Sequence, residues 1–243
     1  MRIKLTVEYD GGPFCGWQSQ INGTTVQGEI ERAFFEQTGQ KINLVGSGRT
    51  DAGVHALGQV AHFDTDCAIP PEKIAYAINT HLPESIRILK SELVGEDFHA
   101  RFNAKKKTYI YKIYTGDISS PIRRNTAVFV RGTLDDEKMK EALAYIVGEH
   151  DFTCFMASGS PVKDAVRTVY SLDFEKDGND YTFRITGNGF LYNMVRIIVG
   201  TLIYVGQGRI SPNEVKNIID SKDRTLAGIT MPPQGLYLES VVY

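Results

Sequence analysis

Apolar and polar residues alternate through residues 2–9, with Ile3, Leu5, Val7 and Tyr9 on one side, which is the period of a half-buried strand. A glycine-rich stretch follows at 10–23. Thr24 and Gln27 then make a T-x-x-Q capping box for a helix that carries Ile30, Ala33 and Phe34 at helical spacing. Short strands are predicted at 42–45 and 59–63, separated by a loop rich in glycine. Pro70 and Pro71 open a helix that runs to Asn79, and 86–94 alternates again.

The second half has a similar grammar. A strand is predicted at 108–114, and an amphipathic helix at 135–147 carries Met139, Leu143, Ile146 and Val147 on one side. Strands at 166–175 and 181–186 flank a turn at Asp177-Gly178-Asn179. A long helix follows, with Met194, Ile197, Ile198, Thr201, Leu202 and Val205 at helical spacing. Ser211-Pro212-x-Glu214 starts another helix, and 236–243 is a closing strand. The pattern predicts an α+β protein of two halves, 1–104 and 105–243. A chain of 243 residues suits one large domain or two modest ones.

Composition changes this picture little. The net charge is -2, from 27 Lys+Arg against 29 Asp+Glu, so the chain as a whole is not a polycation. Charge is uneven, however. Between Phe98 and Leu134 lie Arg101, Lys105, Lys106, Lys107, Lys112, Arg123, Arg124 and Arg131, with Asp117 the only acid. Such a run can act on phosphates locally or be a solvated surface stretch. Cys15, Cys67 and Cys154 are odd in number, widely spaced and without C-x-x-C, which argues against a disulfide framework or a zinc site. Cys15 and Cys154 stand among aromatic residues and read as small core residues. Residues 1–10 do not read as a signal peptide, and no apolar run approaches the ~20 residues of a membrane helix. The cytoplasm is the expected compartment, with no membrane association.

The candidate chemistry centres on Gly48-Arg49-Thr50-Asp51-Ala52-Gly53-Val54-His55, a loop between two predicted strands. A carboxylate near an arginine can be held ionised and can serve as a covalent nucleophile; the plainer alternative is that Asp51 shapes a turn. No G-x-G-x-x-G, no G-x-x-x-x-G-K-[ST], no H-E-x-x-H and no G-x-S-x-G occurs, so neither a nucleotide cofactor nor a metal is expected. Cations and rings interleave from Phe98-His99-Ala100-Arg101-Phe102 through Lys105-Lys106-Lys107-Thr108-Tyr109-Ile110-Tyr111-Lys112. Rings there can stack on exposed bases, or simply pack in a sheet. Arg196 lies in an otherwise apolar helical run. If it faces inward it needs a carboxylate, for which Asp51 is a candidate, and periodicity does not exclude an exposed stripe.

Taken together, these segments resemble one family along nearly the whole chain, that of tRNA pseudouridine synthase A. The matching runs are Tyr9-Asp10-Gly11, Phe14-x-Gly16-Trp17-Gln18, Thr25-Val26-Gln27-Gly28-Glu29-Ile30-Glu31, Gly48-Arg49-Thr50-Asp51-Ala52-Gly53-Val54-His55-Ala56 and Phe98-His99-Ala100-Arg101-Phe102. Further along come Tyr109-x-Tyr111, His150-Asp151-Phe152-Thr153, 187–196 and Pro232-Pro233-Gln234-Gly235-Leu236-Tyr237-Leu238. Cys154 and Met231 depart from the family's usual residues. The resemblance implies two pseudo-symmetric α/β halves whose antiparallel sheets meet across a central basic cleft. It implies Asp51 as the catalytic aspartate, Tyr109 as the ring packed on the target uracil, Arg49 as the group that helps extrude the base and Arg196 as the partner of the catalytic carboxylate. The basic residues Arg101, Lys105, Lys106 and Lys107 become candidate RNA-backbone contacts. A homodimer acting without cofactor on uridines 38, 39 and 40 in the anticodon stem-loop of tRNA is expected. The rival readings are a non-catalytic RNA binder and a carboxylate glycosidase; the latter needs a second catalytic carboxylate, and no such pair stands out.

Overall fold

The computed structural model of the chain describes residues 1–159, 162 and 164–243. Its first elements are β1 (Arg2–Tyr9), α1 (Val26–Thr38), β2 (Val45–Gly46), β3 (His55–Asp64), α2 (Ile74–Asn79) and β4 (Ile86–Val94). There follow β5 (Lys106–Gly116), β6 (Val128–Arg131), α3 (Asp136–Ile146), β7 (Gly148–Asp151), β8 (Val166–Asp177), β9 (Asp180–Gly187), α4 (Met194–Gly206), α5 (Glu214–Ser221) and β10 (Leu236–Val242). Strands and helices mix along the whole chain and most strand pairs are antiparallel, so the fold class is α+β. Residue proximity divides the chain into Met1–Lys105 with Tyr237–Tyr243, and Lys106–Leu236. A division at 104/105 by chain order alone puts the C-terminal strand in the second half. Its pairing puts it in the first, because Tyr237 and Leu238 lie parallel to His55 and Ala56 of β3.

In the first unit the strands run in the order β4-β1-β3-β10, and β2 pairs with the far end of β3. The alternation read in β1 sets its faces: Ile3, Leu5 and Val7 are fully buried. Ile3 lies opposite Phe63 across the antiparallel ladder, and Phe34 of α1 meets Phe63 edge-on at 5.0 Å. α1 therefore covers this face with Ile30, Ala33 and Phe34, all without exposure. Its N-cap is Thr25, whose hydroxyl accepts from the Gly28 N–H at 3.2 Å, so the Thr24–Gln27 box is displaced by one residue. Gln27 turns away from the cap, accepting from Gln18 and donating to Glu31. α2 is tied to the edge strand β4 by Asn79, which donates to the Ile88 carbonyl and accepts from the Ile88 N–H at 2.9 and 2.8 Å. The side chain thus occupies ladder groups that an edge strand leaves open.

In the second unit the order is β5-β9-β8-β7, antiparallel throughout, with β6 parallel to β5. The β8–β9 hairpin turns at the Asp177-Gly178-Asn179 step read from sequence, with Gly178 at φ 57. α3 starts one residue inside the 135–147 span read from sequence, because Asp135 is its N-cap, accepting from the Lys138 N–H, and it ends at Ile146 with Val147 as C-cap. α4 is almost entirely buried and packs on α3; a Cβ on Gly206 would lie 3.0 Å from the Met139 sulfur, so the two helices meet closely there. β6 and β7 are additions to the sequence-based set.

Candidate active-site loop and its supporting residues

The loop from 47 to 54 joins β2 to β3, and its local sequence explains its fixed shape. At its start Ser47 is fully buried, donating to Gln59 Oε1 at 2.6 Å, while Gln59 Nε2 donates to the Gly48 carbonyl at 3.1 Å. Thr50 is held at both its polar ends. Its hydroxyl shares a 2.8 Å hydrogen bond with the Tyr9 phenol, and its carbonyl accepts from the Trp17 N–H at 3.1 Å. That second contact requires Gly16, which has φ 98 and whose Cβ would stand 2.6 Å from the Thr50 oxygen. Asp51 comes next and is half-buried. Its carbonyl accepts from Val54 N–H at 3.1 Å, closing a turn with Gly53 at φ 77 in the third position, where such a turn needs a positive φ. Asp51 therefore both shapes a turn and presents a carboxylate from a backbone fixed on either side.

Burial pushes the Tyr9 phenol well above its ordinary range, against hydrogen bonds from Thr50 and Gln59 that draw it down. The tyrosine is a neutral post under the loop. Arg49 is exposed and donates through Nε to Gln18 Oε1 at 3.3 Å. After the turn, His55 is buried and opens β3, four residues earlier than the strand read from sequence. Of the proposed backbone contacts, Arg101 and Lys105 belong to this unit and are exposed, with the Arg101 guanidinium 5.8 Å from the Phe102 ring.

In the second unit Tyr109 and Tyr111 share one face of β5, as the alternation requires. Tyr109 is 9% exposed, with its ring edge-on to Phe190 at 5.2 Å. Tyr111 is fully buried and donates to the Pro232 carbonyl at 2.5 Å; burial raises its pKa, and the nearby Arg196 charge offsets part of that. Arg196 lies in the first turn of α4 and is half-buried. Its Nε donates to the Met231 carbonyl and its Nη1 to Asn193 Oδ1, both at 2.6 Å. Asn193 adopts φ 60, the left-handed region that asparagine enters more readily than most residues, and this aims its side chain back at the helix start. Lys106 is exposed over the Tyr170 ring at 5.2 Å, and Lys107 is half-buried.

Sequence reading did not single out Tyr9, Gln18, His55, Gln59 or Asn193 as supports. Their partners lie far off in the chain or, for Asn193, depend on a backbone angle. Cys15 is exposed, contrary to the core reading, whereas Cys154 is fully buried and burial pushes its thiol up to about 12. Among the described residues no cluster of three His, Cys, Asp or Glu side chains could hold a metal ion, and no helix is long and apolar enough to cross a membrane.

The family described as tRNA pseudouridine synthase matches residues 5–103 and 142–243 of this chain. The chain is 49% identical over 241 residues to the tRNA pseudouridine synthase A of Thermoanaerobacter sp. (strain X514), covering 99% of each. It is 47% identical over 245 residues to the protein of that name from Bacillus subtilis (strain 168), covering 100% of this chain and 99% of the other. A solved H/ACA RNP bound to a substrate RNA containing 2'-deoxyuridine contains a chain 13% identical with a TM-score of 0.41. That match covers 83% of this chain and 44% of the other.

Proposed function

The chain belongs to the tRNA pseudouridine synthase family and is an isomerase acting on tRNA, and from that premise we propose that Asp51 is its nucleophile and that uridines 38, 39 and 40 of the anticodon stem-loop are its targets. The observation that carries the assignment of Asp51 is the fixed loop, in which Thr50 and Val54 anchor the backbone on either side of the carboxylate. A side chain that attacks carbon gains most from a backbone that does not move.

Pseudouridine forms when the C1′–N1 bond breaks, the uracil turns and a C1′–C5 bond replaces it; the C5 proton is lost and N1 gains one. Nothing is gained or lost overall, so the reaction needs no redox or energy cofactor. The target base first leaves its stack, which costs a few kcal/mol. Tyr109 serves as the ring against the uracil, and Arg49 as the cation that helps turn the nucleotide out. Asp51 attacks either the sugar C1′, in a step like that of a retaining glycosidase, or the uracil C6. Arg196 keeps Asp51 ionised. Support for that role comes from the Met231 and Asn193 bonds, which give the guanidinium one orientation. Tyr109 or a water takes the C5 proton. Arg101, Lys105, Lys106 and Lys107 hold RNA phosphates, and the protein acts as a homodimer in the cytoplasm.

The test is tritium release from tRNA carrying [5-³H]uridine at positions 38 to 40, with no metal or cofactor added. Wild type releases tritium, and Asp51→Ala releases none while still binding the tRNA. Substantial release by Asp51→Ala overturns the assignment; release only from uridines elsewhere overturns the choice of target.

A further inference from the structure

We infer that His55 is a positioning residue for the Asp51 loop, acting through the lone pair on its Nδ1. The inference rests on the reading of Asp51 as the nucleophile. His55 is 3% exposed and begins β3 directly after the turn that carries Asp51. Its Nδ1 lies 3.1 Å from the Gly11 N–H and accepts from it. Gly11 is buried, and a Cβ there would collide with the Val54 carbonyl, so the 10–12 segment and the end of the loop touch backbone to backbone. The imidazole ring is stacked on Tyr237 of β10, with centroids 4.5 Å apart and planes at 20°. His55 thus ties the downstream side of the loop to two other segments, as Tyr9 and Trp17 tie the upstream side through Thr50.

The protonation state follows from the donors. Asp10 Oδ1 also lies 3.1 Å from Nδ1, and a proton on that nitrogen would go to the carboxylate. Asp10 is about half exposed, and the same oxygen already accepts from Gly12 N–H at 2.9 Å. The Gly11 amide has no comparable freedom: it is a fixed, buried donor, and a buried N–H left without an acceptor is destabilising. An Nδ1 lone pair that accepts from the Gly11 N–H places the proton of the neutral ring on Nε2. The ring touches no reacting atom. It acts by holding the Val54–His55 backbone, and through it the Asp51 carboxylate, where attack occurs.

Substitutions separate this role from simple packing. Asparagine at 55 places a side-chain acceptor close to the position of Nδ1, glutamine places one nearer that of Nε2, and phenylalanine keeps the stacked ring with no acceptor. In steady-state tritium release, His55→Asn is expected to keep kcat within about fivefold of wild type. His55→Gln and His55→Phe are expected to lose about 100-fold in kcat, the scale of a small misplacement of a reacting group, with KM for tRNA within about threefold. Wild-type kcat in His55→Phe, or equal losses in the Asn and Gln variants, overturns the inference. Wild-type protein gives an independent reading by ¹⁵N NMR: a pyridine-type Nδ1 coupled to the Gly11 amide is expected, and a pyrrole-type Nδ1 overturns the inference even where a variant does not fold. Asp51→Ala runs alongside. If it stays active, the reading of Asp51 has failed; if it is dead while His55→Phe is active, only the role of His55 has.

Discussion

Tyr9 shows how much one side chain can do at the residue scale. Its ring is 3% exposed, its phenol meets the Thr50 hydroxyl at 2.8 Å, and burial is the largest cause of its raised pKa. The unfolded chain ionises this phenol near pH ~10, whereas the folded chain keeps it neutral to higher pH. Its contribution is therefore fully present below about pH 10 and is lost as pH rises from there toward the folded value. Tyr9→Phe removes the hydrogen bond and the ionisation together. At pH 7 the variant should be less stable by about 1 kcal/mol. Its stability should then fall less steeply than that of wild type between about pH 10 and 11, as urea midpoints across pH would record. A parallel fall in both proteins would show that the phenol is not buried in solution. Asp51, Arg49, Arg196 and Tyr109 are proposed from the sequence because each sits in a contiguous run of residues that resembles the family. The partnership of Tyr9 with Thr50, 41 positions apart, was not legible there, since nothing local in either segment encodes it.

At the scale of elements, period and caps settle most of the outcome, and the exceptions have physical reasons. β1 was read to its ends because alternation continues to the last residue; β4 was read to the same ends although its alternation breaks at Leu89-Lys90, both exposed, where its ladder with β1 shifts register. β7 reads Gly-Glu-His-Asp, with no β-branched or large apolar residue, and is a strand because it pairs with β8 at the sheet edge. β3 starts at His55 because Tyr237 and Leu238 arrive from the other end of the chain to pair there. The start of α1 was displaced by one residue because two adjacent threonines both fit an N-cap, and only the backbone decides between them. Thr25 has the extended φ of -130 and ψ of 154 that lets its hydroxyl reach Gly28 N–H. Thr25→Ala should therefore destabilise the protein by about 1 kcal/mol, and Thr24→Ala should stay within about 0.5 kcal/mol. Chemical denaturation of both variants decides between the caps; the reverse order would restore the box at Thr24 and Gln27.

Over the whole molecule, charge sets a condition on how tRNA is held. With 27 basic and 29 acidic residues, the protein has no net positive field to draw a polyanion. Affinity must come from cations gathered locally, and the run from Arg101 through Lys107 is the densest in the sequence. Arg101, Lys105 and Lys106 present exposed side chains, so neutralising them removes charge from solvent without opening a core. Each cation that pairs with a phosphate adds about 0.7 to 0.9 to the slope of log affinity against log salt. Replacing Arg101, Lys105 and Lys106 with alanine should therefore weaken tRNA binding most at low salt and flatten its salt dependence by about two. At saturating tRNA, kcat should be unchanged, because none of the three is assigned to the reacting uridine. An unaltered slope would move the phosphate-binding role elsewhere, with Arg123, Arg124 and Arg131 the next to test. A fall in kcat with the slope intact would mean that the segment acts on the geometry of the site rather than on the charge of the RNA.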